Sequence, residues 1–259
     1  MRPRCVALNG HIDVYDHEAL PTLCLLKRLK FRPQTVIDVG AAVGEWSLVC
    51  SRVFPHARYW LIDANEKARP FLQSAAGQIK HASLEIAALA EDRLAIPFDT
   101  MGYGTSRYPE DTPFRREKQT LYTRTLDEFG LASGATILKI DAQGSELDIL
   151  RGGQDTLANC DVVFIEASLL PYNLGSPLVH EVVAFMAERG FLLWDLGKDQ
   201  FNRADGVPFQ VNTVFVRKSS SLRSRKPFWK VGDNPNVNTD YLPVKLMPAI
   251  DRYVEDNTR

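Results

Sequence analysis

Cysteine is scarce in this 259-residue sequence, and its four copies lie far apart, at Cys5, Cys24, Cys50 and Cys160. No Cys-x-x-Cys pair occurs, which argues against a zinc site built on thiolates. A chain of this length does not need disulfides to be stable, and scattered thiols are typical of a reducing compartment. We therefore expect a cytoplasmic protein whose cysteines are small buried hydrophobic residues.

The sequence also lacks a long hydrophobic run and an excess of either charge. The apolar run at residues 23–26 is far too short to cross a bilayer, and the basic residues 1–4 are followed by no apolar stretch of signal-peptide length. The formal net charge is -1, so no overall field favours nucleic acid or an anionic membrane. We expect a soluble protein with no membrane span and no nucleic-acid partner.

Short apolar strands alternate with amphipathic helices along most of the chain. Strands are predicted at residues 36–39, 59–62, 84–89, 137–140 and 162–165, and helices at residues 44–54, 66–76 and 178–189. Two last strands, at 191–194 and 211–216, follow one another without a helix. This order predicts an α/β fold with a mainly parallel sheet, helices on both faces and an antiparallel edge strand.

Three segments flank or interrupt this core, which spans residues 34–218. In residues 1–33, leucines at near-helical spacing predict a cap or lid helix, with Asp16 as its N-cap and Pro21 in its first turn. Residues 93–124 contain glycines, prolines and basic residues, which predicts an inserted loop or hairpin over one edge of the domain. Residues 219–259 form a polar tail.

The first predicted strand leads into a turn of small residues led by an acid, DVGAAVG at residues 38–44. Small residues let the backbone approach a ligand, and the start of the next helix offers free N–H groups. A dinucleotide site would need a third glycine-like residue where Glu45 stands, so the spacing disfavours a nicotinamide-dependent oxidoreductase. The alternative is a tight strand–helix connection that binds nothing.

A second motif, KIDAQGSE at residues 139–146, follows the strand at 137–140 and continues to Gly152 and Gly153. The sequence TLD at residues 125–127 lies just upstream, and FIE at residues 164–166 ends the next strand. On these motifs, residues 34–217 resemble the FkbM family of methyltransferases. The resemblance implies a Rossmann-like class I methyltransferase fold with seven strands, S-adenosylmethionine as methyl donor, and O-methylation of hydroxyls on sugars or secondary metabolites.

The resemblance also implies where the cofactor binds, and the Asp38 position is expected to help hold its methionine end. Asp63, after the second strand, can accept hydrogen bonds from both ribose hydroxyls, or can instead cap the helix at residue 66. Glu91 follows the third strand, near where adenine is expected, and the alternative is a solvated loop acid. Glu146 has a capping alternative. The cofactor candidates are Asp38, Gly40, Ala41, Ala42, Gly44, Asp63, Ala64, Glu91, Asp141 and Glu146.

Three residues are candidates for the chemistry at the carboxyl ends of the strands, where open α/β sheets bind their ligands. Asp141 and Glu166 end neighbouring strands, and His180 lies in the first turn of the following helix. Each has a suitable group to take a proton from an acceptor hydroxyl, although Glu166 and His180 have structural alternatives. Paired carboxylates also suit a divalent cation, but two are too few to specify one, so we expect no metal site.

The resemblance implies a small-molecule or glycan acceptor, and the aromatic and basic side chains of the insert and the tail favour one larger than a bare metabolite. Tyr103, Tyr108 and Trp229 are suited to stack on sugar faces, and Arg107 or Arg225 to pair with a phosphate or carboxylate. The alternative is that both segments only cover apolar surface or join subunits of a homo-oligomer. A cofactor-binding scaffold without catalysis is the rival from a different functional class.

Overall fold

The computed structural model describes residues 17–101, 104–110, 116–202 and 206–223. All of these belong to one unit of the chain, Met1–Arg223. The predicted N-cap Asp16, the aromatic residues Tyr103 and Trp229, and most of the polar tail lie outside the described residues.

The strands of the main sheet follow the predicted order, with four further strands between residues 88 and 124 and two further helices between residues 146 and 158. The strands are β1 Thr35–Val39, β2 Arg58–Asp63, β3 Ala82–Ile86, β4 Ala88–Leu89, β5 Ala95–Met101, β6 Gly104–Ser106, β7 Glu117–Arg124, β8 Thr136–Ile140, β9 Val162–Ser168, β10 Phe191–Asn202 and β11 Pro208–Arg217. The helices are α1 Leu20–Arg28, α2 Glu45–Val53, α3 Arg69–Gly77, α4 Glu146–Arg151, α5 Gln154–Ala158 and α6 Val179–Glu188.

The main sheet has seven strands in the order β10-β11-β9-β8-β1-β2-β3. The five adjacent strands β9, β8, β1, β2 and β3 pair in parallel. β11 is antiparallel to both of its neighbours. The α/β architecture with a mainly parallel seven-stranded sheet is confirmed. The antiparallel strand, however, lies one position inside the edge, because β10 turns back as β11, which inserts between β10 and β9.

Two apolar cores cover the two faces of this sheet. One contains Leu23 of α1, Val49 of α2 and Leu72 of α3, and the other contains Leu147 of α4 and Val182 of α6. β1 and β8 are buried at every position, as expected for strands that face helices on both sides. These continuous apolar runs are the reason that the sequence reveals the central strands so clearly.

The predicted third strand divides in the structure. β3 ends at Ile86, and after Ala87 the chain joins a separate four-stranded sheet of order β4-β7-β5-β6. This small sheet contains the described part of the insert at residues 93–124. Asp148 of α4 anchors it, because its Oδ2 accepts hydrogen bonds from Arg107 Nη1 at 3.0 Å and from the Tyr108 hydroxyl at 2.8 Å. The insert therefore reaches the carboxyl edge of the main sheet.

Candidate cofactor and active site

The small-residue turn, residues 38–44, joins β1 to α2 in a left-handed backbone conformation. Gly40, Ala42 and Gly44 all have positive φ, at 71°, 49° and 79°. The N–H groups of Gly40 and Ala41 donate to the carbonyl of Ile62 on β2. Gly44 is the N-cap of α2 and has no side chain to occupy the N–H groups of its first turn. The first turn of α2 thus presents backbone donors at the edge of the sheet.

Close packing requires glycine at two positions of this turn, whether or not a ligand binds there. A Cβ on Gly40 would lie 1.8 Å from the carbonyl oxygen of Asp141, and one on Gly44 would lie 2.4 Å from the Cβ of Ala75. The same geometry shows that the turn and the backbone of Asp141 are in contact. The N–H of Asp141 also donates to the carbonyl of Val39 at 3.0 Å. The two sequence motifs therefore meet at one edge of the sheet.

Asp63 joins this turn to the end of β2. Its Oδ2 accepts a hydrogen bond from the N–H of Ala42, and its Oδ1 accepts one from the N–H of Asn65, both at 2.8 Å. Burial raises the pKa of Asp63, and these two N–H groups act in the opposite direction. The N-cap of the short 3-10 turn at Glu66–Ala68 is Asn65, so the capping alternative for Asp63 is wrong. Contact with ribose stays a prediction.

Asp38 precedes the glycines of the turn and is fully buried, and the ammonium group of Lys139 balances its charge. Asp38 Oδ2 accepts a hydrogen bond from the Ser47 hydroxyl at 2.7 Å, and Lys139 Nζ lies 3.1 Å from Oδ1. Lys139 Nζ also donates to the carbonyl of Gly40 at 3.0 Å and lies 3.6 Å from Asp141 Oδ2. Burial works to lower the pKa of Lys139, but the surrounding carboxylates, Asp38 above all, raise it beyond its ordinary value.

Lys139 therefore connects the two motifs, a role that the sequence analysis missed. The signal was present, because a lysine inside the otherwise apolar strand β8 needs a buried partner. In the structure, Asp38 supports the small-residue turn through Lys139, which also donates to the carbonyl of Gly40. Its direct contact with a cofactor stays a prediction.

Asp141 directly follows β8, and Glu166 lies beside it on β9, two residues before that strand ends. Gln143 Nε2 bridges them, donating to Asp141 Oδ1 and to Glu166 Oε2, both at 3.0 Å. The Tyr172 hydroxyl donates to Gln143 Oε1 at 2.8 Å, and Gln210 Nε2 donates to Glu166 Oε2 at 3.0 Å. We call these five residues the carboxylate cluster. Gln143 has a φ of 51°, a rare conformation for a side-chain-bearing residue and one that is common at functional sites.

Sequence reasoning found two members of the carboxylate cluster and missed three. Gln143 lies inside the KIDAQGSE motif, so its position was a signal. Tyr172 and Gln210 follow no recognised pattern. Burial raises the pKa of Tyr172 far above its ordinary value, so its hydroxyl remains a hydrogen-bond donor.

Glu146 is buried and closes the loop that follows β8. Its Oε1 accepts hydrogen bonds from the N–H groups of Ala142 and Gly144, both at 3.0 Å. Burial raises its pKa to about 7, although these N–H groups act in the opposite direction. Glu146 thus bonds the loop ahead of α4, whose N-cap is Ser145, and its contact with a cofactor stays a prediction.

The structure does not bring His180 or Glu91 to the carboxylate cluster. His180 is exposed on the first turn of α6, and among the described residues no hydrogen bond or ion pair joins it to Asp141 or Glu166. Glu91 is exposed after β4, and the residue that directly follows the sheet strand β3 is Ala87. The reason for choosing Glu91 was therefore wrong, because the third strand ends earlier than predicted. The roles of both residues stay predictions.

The described residues contain neither a metal-binding cluster nor a membrane-crossing helix. In this part of the chain, no group of three or more histidine, cysteine, aspartate and glutamate side chains is arranged to hold a metal ion. Nor does any helix there have the length and apolar character needed to cross a membrane.

Comparison with known families decides what kind of domain this is. Residues 38–193 match the family model of the methyltransferase FkbM domain. The chain belongs to the FkbM methyltransferase family. Membership confirms the family that the two motifs indicated, and with it S-adenosylmethionine as the cofactor.

Other similarities are more distant. The ribosomal RNA small subunit methyltransferase G of Campylobacter curvus is 34% identical over 58 residues, which are 22% of this chain and only 31% of that protein. Two solved structures resemble the fold with TM-scores of 0.46. Precorrin-6y C5,15-methyltransferase from Geobacter metallireducens has 13% identity over 78% of this chain and 88% of its own. Magnesium protoporphyrin IX methyltransferase from Synechocystis PCC 6803 has 11% identity over 77% and 80%. These likenesses assign no substrate.

Proposed function

We propose that this FkbM-family chain transfers the methyl group of S-adenosylmethionine to a hydroxyl oxygen of a sugar, glycoconjugate or secondary metabolite. One observation carries the proposal. Asp141, whose backbone touches the small-residue turn, shares the carboxylate cluster with Glu166. A cofactor site and two candidate proton acceptors thus meet at one edge of the sheet.

The residues of this edge fit S-adenosylmethionine. The small residues of the turn let a ligand approach the N–H groups of the first turn of α2, and Asp63 at the end of β2 is an acceptor for the ribose hydroxyls. The Asp141 carboxylate, which is 23% exposed and next to the same turn, suits the ammonium group of the methionine end. When bound, S-adenosylmethionine supplies an electrophilic methyl group on a sulfonium.

In this proposal Asp141 is the base. Its side chain is 23% exposed, whereas Glu166 is almost completely buried, so an acceptor hydroxyl has easier access to Asp141. The Asp141 carboxylate takes the hydroxyl proton as the new carbon–oxygen bond forms and the carbon–sulfur bond breaks. Lys139 and Gln143 hold the carboxylate in place, and orientation of the acceptor supplies much of the acceleration. Glu166 supports Gln143 by accepting its hydrogen bond, and Gln210 in turn donates to Glu166.

A second candidate is methylation of RNA, which the local match to the ribosomal RNA methyltransferase favours. The formal net charge of -1 offers no overall attraction for RNA, so we rank this candidate below a neutral hydroxyl acceptor. The two remaining rivals, a nicotinamide-dependent oxidoreductase and a non-catalytic scaffold, predict NADH binding and no turnover, respectively.

A labelled-methyl assay separates these candidates. The full chain is incubated with S-adenosylmethionine carrying a tritiated methyl group and, in parallel, with extracted glycans, glycolipids, small hydroxylated metabolites or RNA. We expect label in a hydroxyl-bearing glycan or metabolite, and a fall of at least about a hundredfold in turnover for Asp141→Asn. Asp155→Asn is the matched control, because it makes the same substitution at an exposed residue of α5. Label in RNA alone, or an unchanged rate in Asp141→Asn, would contradict the proposal.

A further inference from the structure

An open depression lies at the edge where the parallel strands begin, opposite the edge that carries the carboxylate cluster. Its volume is about 520 Å³, within the range of small-ligand sites. It is lined by two arginines, two histidines, a glutamine and a proline: Arg32, Arg58, His56, His81, Gln34 and Pro33. Among the described residues, no acidic side chain lines it, although the formal net charge of the whole chain is -1. We call this place the basic depression.

The register of the main sheet places three of the lining residues side by side. Gln34 precedes β1, Arg58 begins β2 and His81 precedes β3, and these strands are parallel neighbours. Arg58 pairs with Thr35, and the N–H of Tyr59 donates to the carbonyl of His81 at 2.7 Å. Neighbouring strands lie about 4.8 Å apart, so the three strands begin within roughly 10 Å of one another. Their first side chains therefore reach one ligand of small-molecule size.

The donor groups of the basic depression are not used up by the protein itself. The exposed side chains of His56, Arg58 and His81 make no hydrogen bond or ion pair with any other residue that the structure describes. Arg32 differs, because its Nη1 donates to the carbonyl of Phe31 at 2.8 Å. That bond orients the guanidinium and leaves its other nitrogen atoms as donors. Two arginines and two histidines thus offer N–H groups to a common space.

Guanidinium and imidazole groups around a concave surface favour an anion, and phosphate in particular. The planar fork of an arginine matches two phosphate oxygens at once, and the histidines add further N–H donors. A carboxylate has two oxygens in one plane, whereas a phosphate has oxygens on several sides. A phosphate therefore contacts groups from strand ends and loops at the same time. A cation is excluded, since no acidic side chain of the described residues faces it.

We propose that the basic depression binds the phosphate groups of a small organic phosphate. The site is separate from the methyl-transfer site, because the length of β1 places the small-residue turn about 20 Å away. A ligand bound there does not touch the reacting atoms, so the proposal goes beyond the proposed function and does not depend on it. A concave site of this volume suits a small ligand, whereas a nucleic-acid backbone needs an extended row of cations.

Binding of inorganic pyrophosphate tests the basic depression without requiring turnover. The full chain, saturated with S-adenosylhomocysteine so that the cofactor site is filled, is titrated with pyrophosphate in a calorimeter. We expect Arg58→Gln to weaken binding about five- to tenfold and His81→Gln about two- to fivefold, as for the loss of one exposed charge-assisted hydrogen bond. Melting temperatures should not change, because both side chains are exposed. Arg93→Gln is the matched control, because it removes the same charge from an exposed arginine of the insert.

Parallel titrations with phosphatidylglycerol vesicles and with single-stranded RNA identify the source of the phosphate. We expect the wild type to bind pyrophosphate and to show no binding of vesicles or RNA that depends on Arg58. A wild type that does not bind pyrophosphate would overturn the proposal. So would equal weakening in Arg93→Gln, which would report overall charge alone, or Arg58-dependent binding of vesicles or RNA in place of pyrophosphate. Each of these results leaves the proposed methyl transfer untouched, because no arm measures turnover.

Discussion

Replacing Lys139 with methionine should destabilise the fold more than any surface charge change. Its ammonium is buried and contacts Asp38 Oδ1 at 3.1 Å and the carbonyl of Gly40 at 3.0 Å. The Lys139→Met variant leaves the Asp38 carboxylate charged and fully buried, with the Ser47 hydroxyl as its remaining hydrogen-bond donor. Methionine fills most of the lysine volume, so the effect reports the lost charge and not a cavity.

The magnitude follows from the burial of the pair. Breaking a buried ion pair by removing one partner costs about 3–5 kcal/mol, because the other charge remains. For a chain of this size, that corresponds to a fall in melting temperature of roughly 6–20 °C. The double variant Asp38→Asn/Lys139→Met removes both charges, and we expect it to recover at least about half of the loss.

Urea unfolding followed by circular dichroism measures both variants. Lys67→Met is the control, because Lys67 pairs with Glu117 on the surface and such pairs contribute about 0–1 kcal/mol. A Lys139→Met protein as stable as Lys67→Met would refute the idea that this cation holds the turn. So would a double variant that is no more stable than Lys139→Met alone.

Three further predictions test neighbouring parts of the site. Gly44→Ala should lower the free energy of unfolding by more than about 2 kcal/mol, because the φ of Gly44 is 79° and the new Cβ meets Ala75. Gly77→Ala is the control and should not lower it, because a Cβ there has open space around it. Thermal melts compare the two variants. Glu146→Gln should gain stability relative to wild type by up to about 3 kcal/mol between pH 4 and pH 8. The reason is that the Glu146 carboxyl of the folded protein, with its pKa raised to about 7, binds more protons between pH 4.5 and 7 than the same carboxyl of the unfolded chain. The stability of the wild type therefore falls as the pH rises through that window. A stability difference between Glu146→Gln and wild type that does not change with pH would contradict this. Asp63→Asn should weaken S-adenosylhomocysteine binding about tenfold or more by calorimetry below the melting transition. It should also lower the melting temperature, because the amide nitrogen cannot accept the bond from one of the two backbone N–H groups. Unaltered affinity would remove Asp63 from the cofactor site.

The sequence predicted the central strands because their residues are buried on both faces. β1, β2, β8 and β9 each begin or end within three residues of the predicted bounds, since continuous apolar runs mark them. It failed where pairing is decided by distant segments. Nothing local shows that the apolar run after Ile86 leaves the main sheet, because Ala88 pairs with Thr123 of the insert, far along the chain.

The same distinction applies to the carboxylate cluster. Asp141 and Glu166 were found because parallel strands end at one edge, so the residue that ends each strand is a candidate. Gln210 lies near the start of its strand, and it reaches that edge only because β11 runs antiparallel to β9. Tyr172 reaches it through a loop. A rule based on strand ends cannot identify either residue before the topology is known.

The most direct test of the account is to identify the atom that receives the methyl group. The full chain is incubated with S-adenosylmethionine carrying a carbon-13 methyl group and a sugar acceptor, and the product is examined by carbon NMR. The account predicts a new methyl ether on oxygen in the wild-type reaction and almost none with Asp141→Asn. A methyl group bound to nitrogen or carbon, or an equal yield of ether from Asp141→Asn, would contradict it.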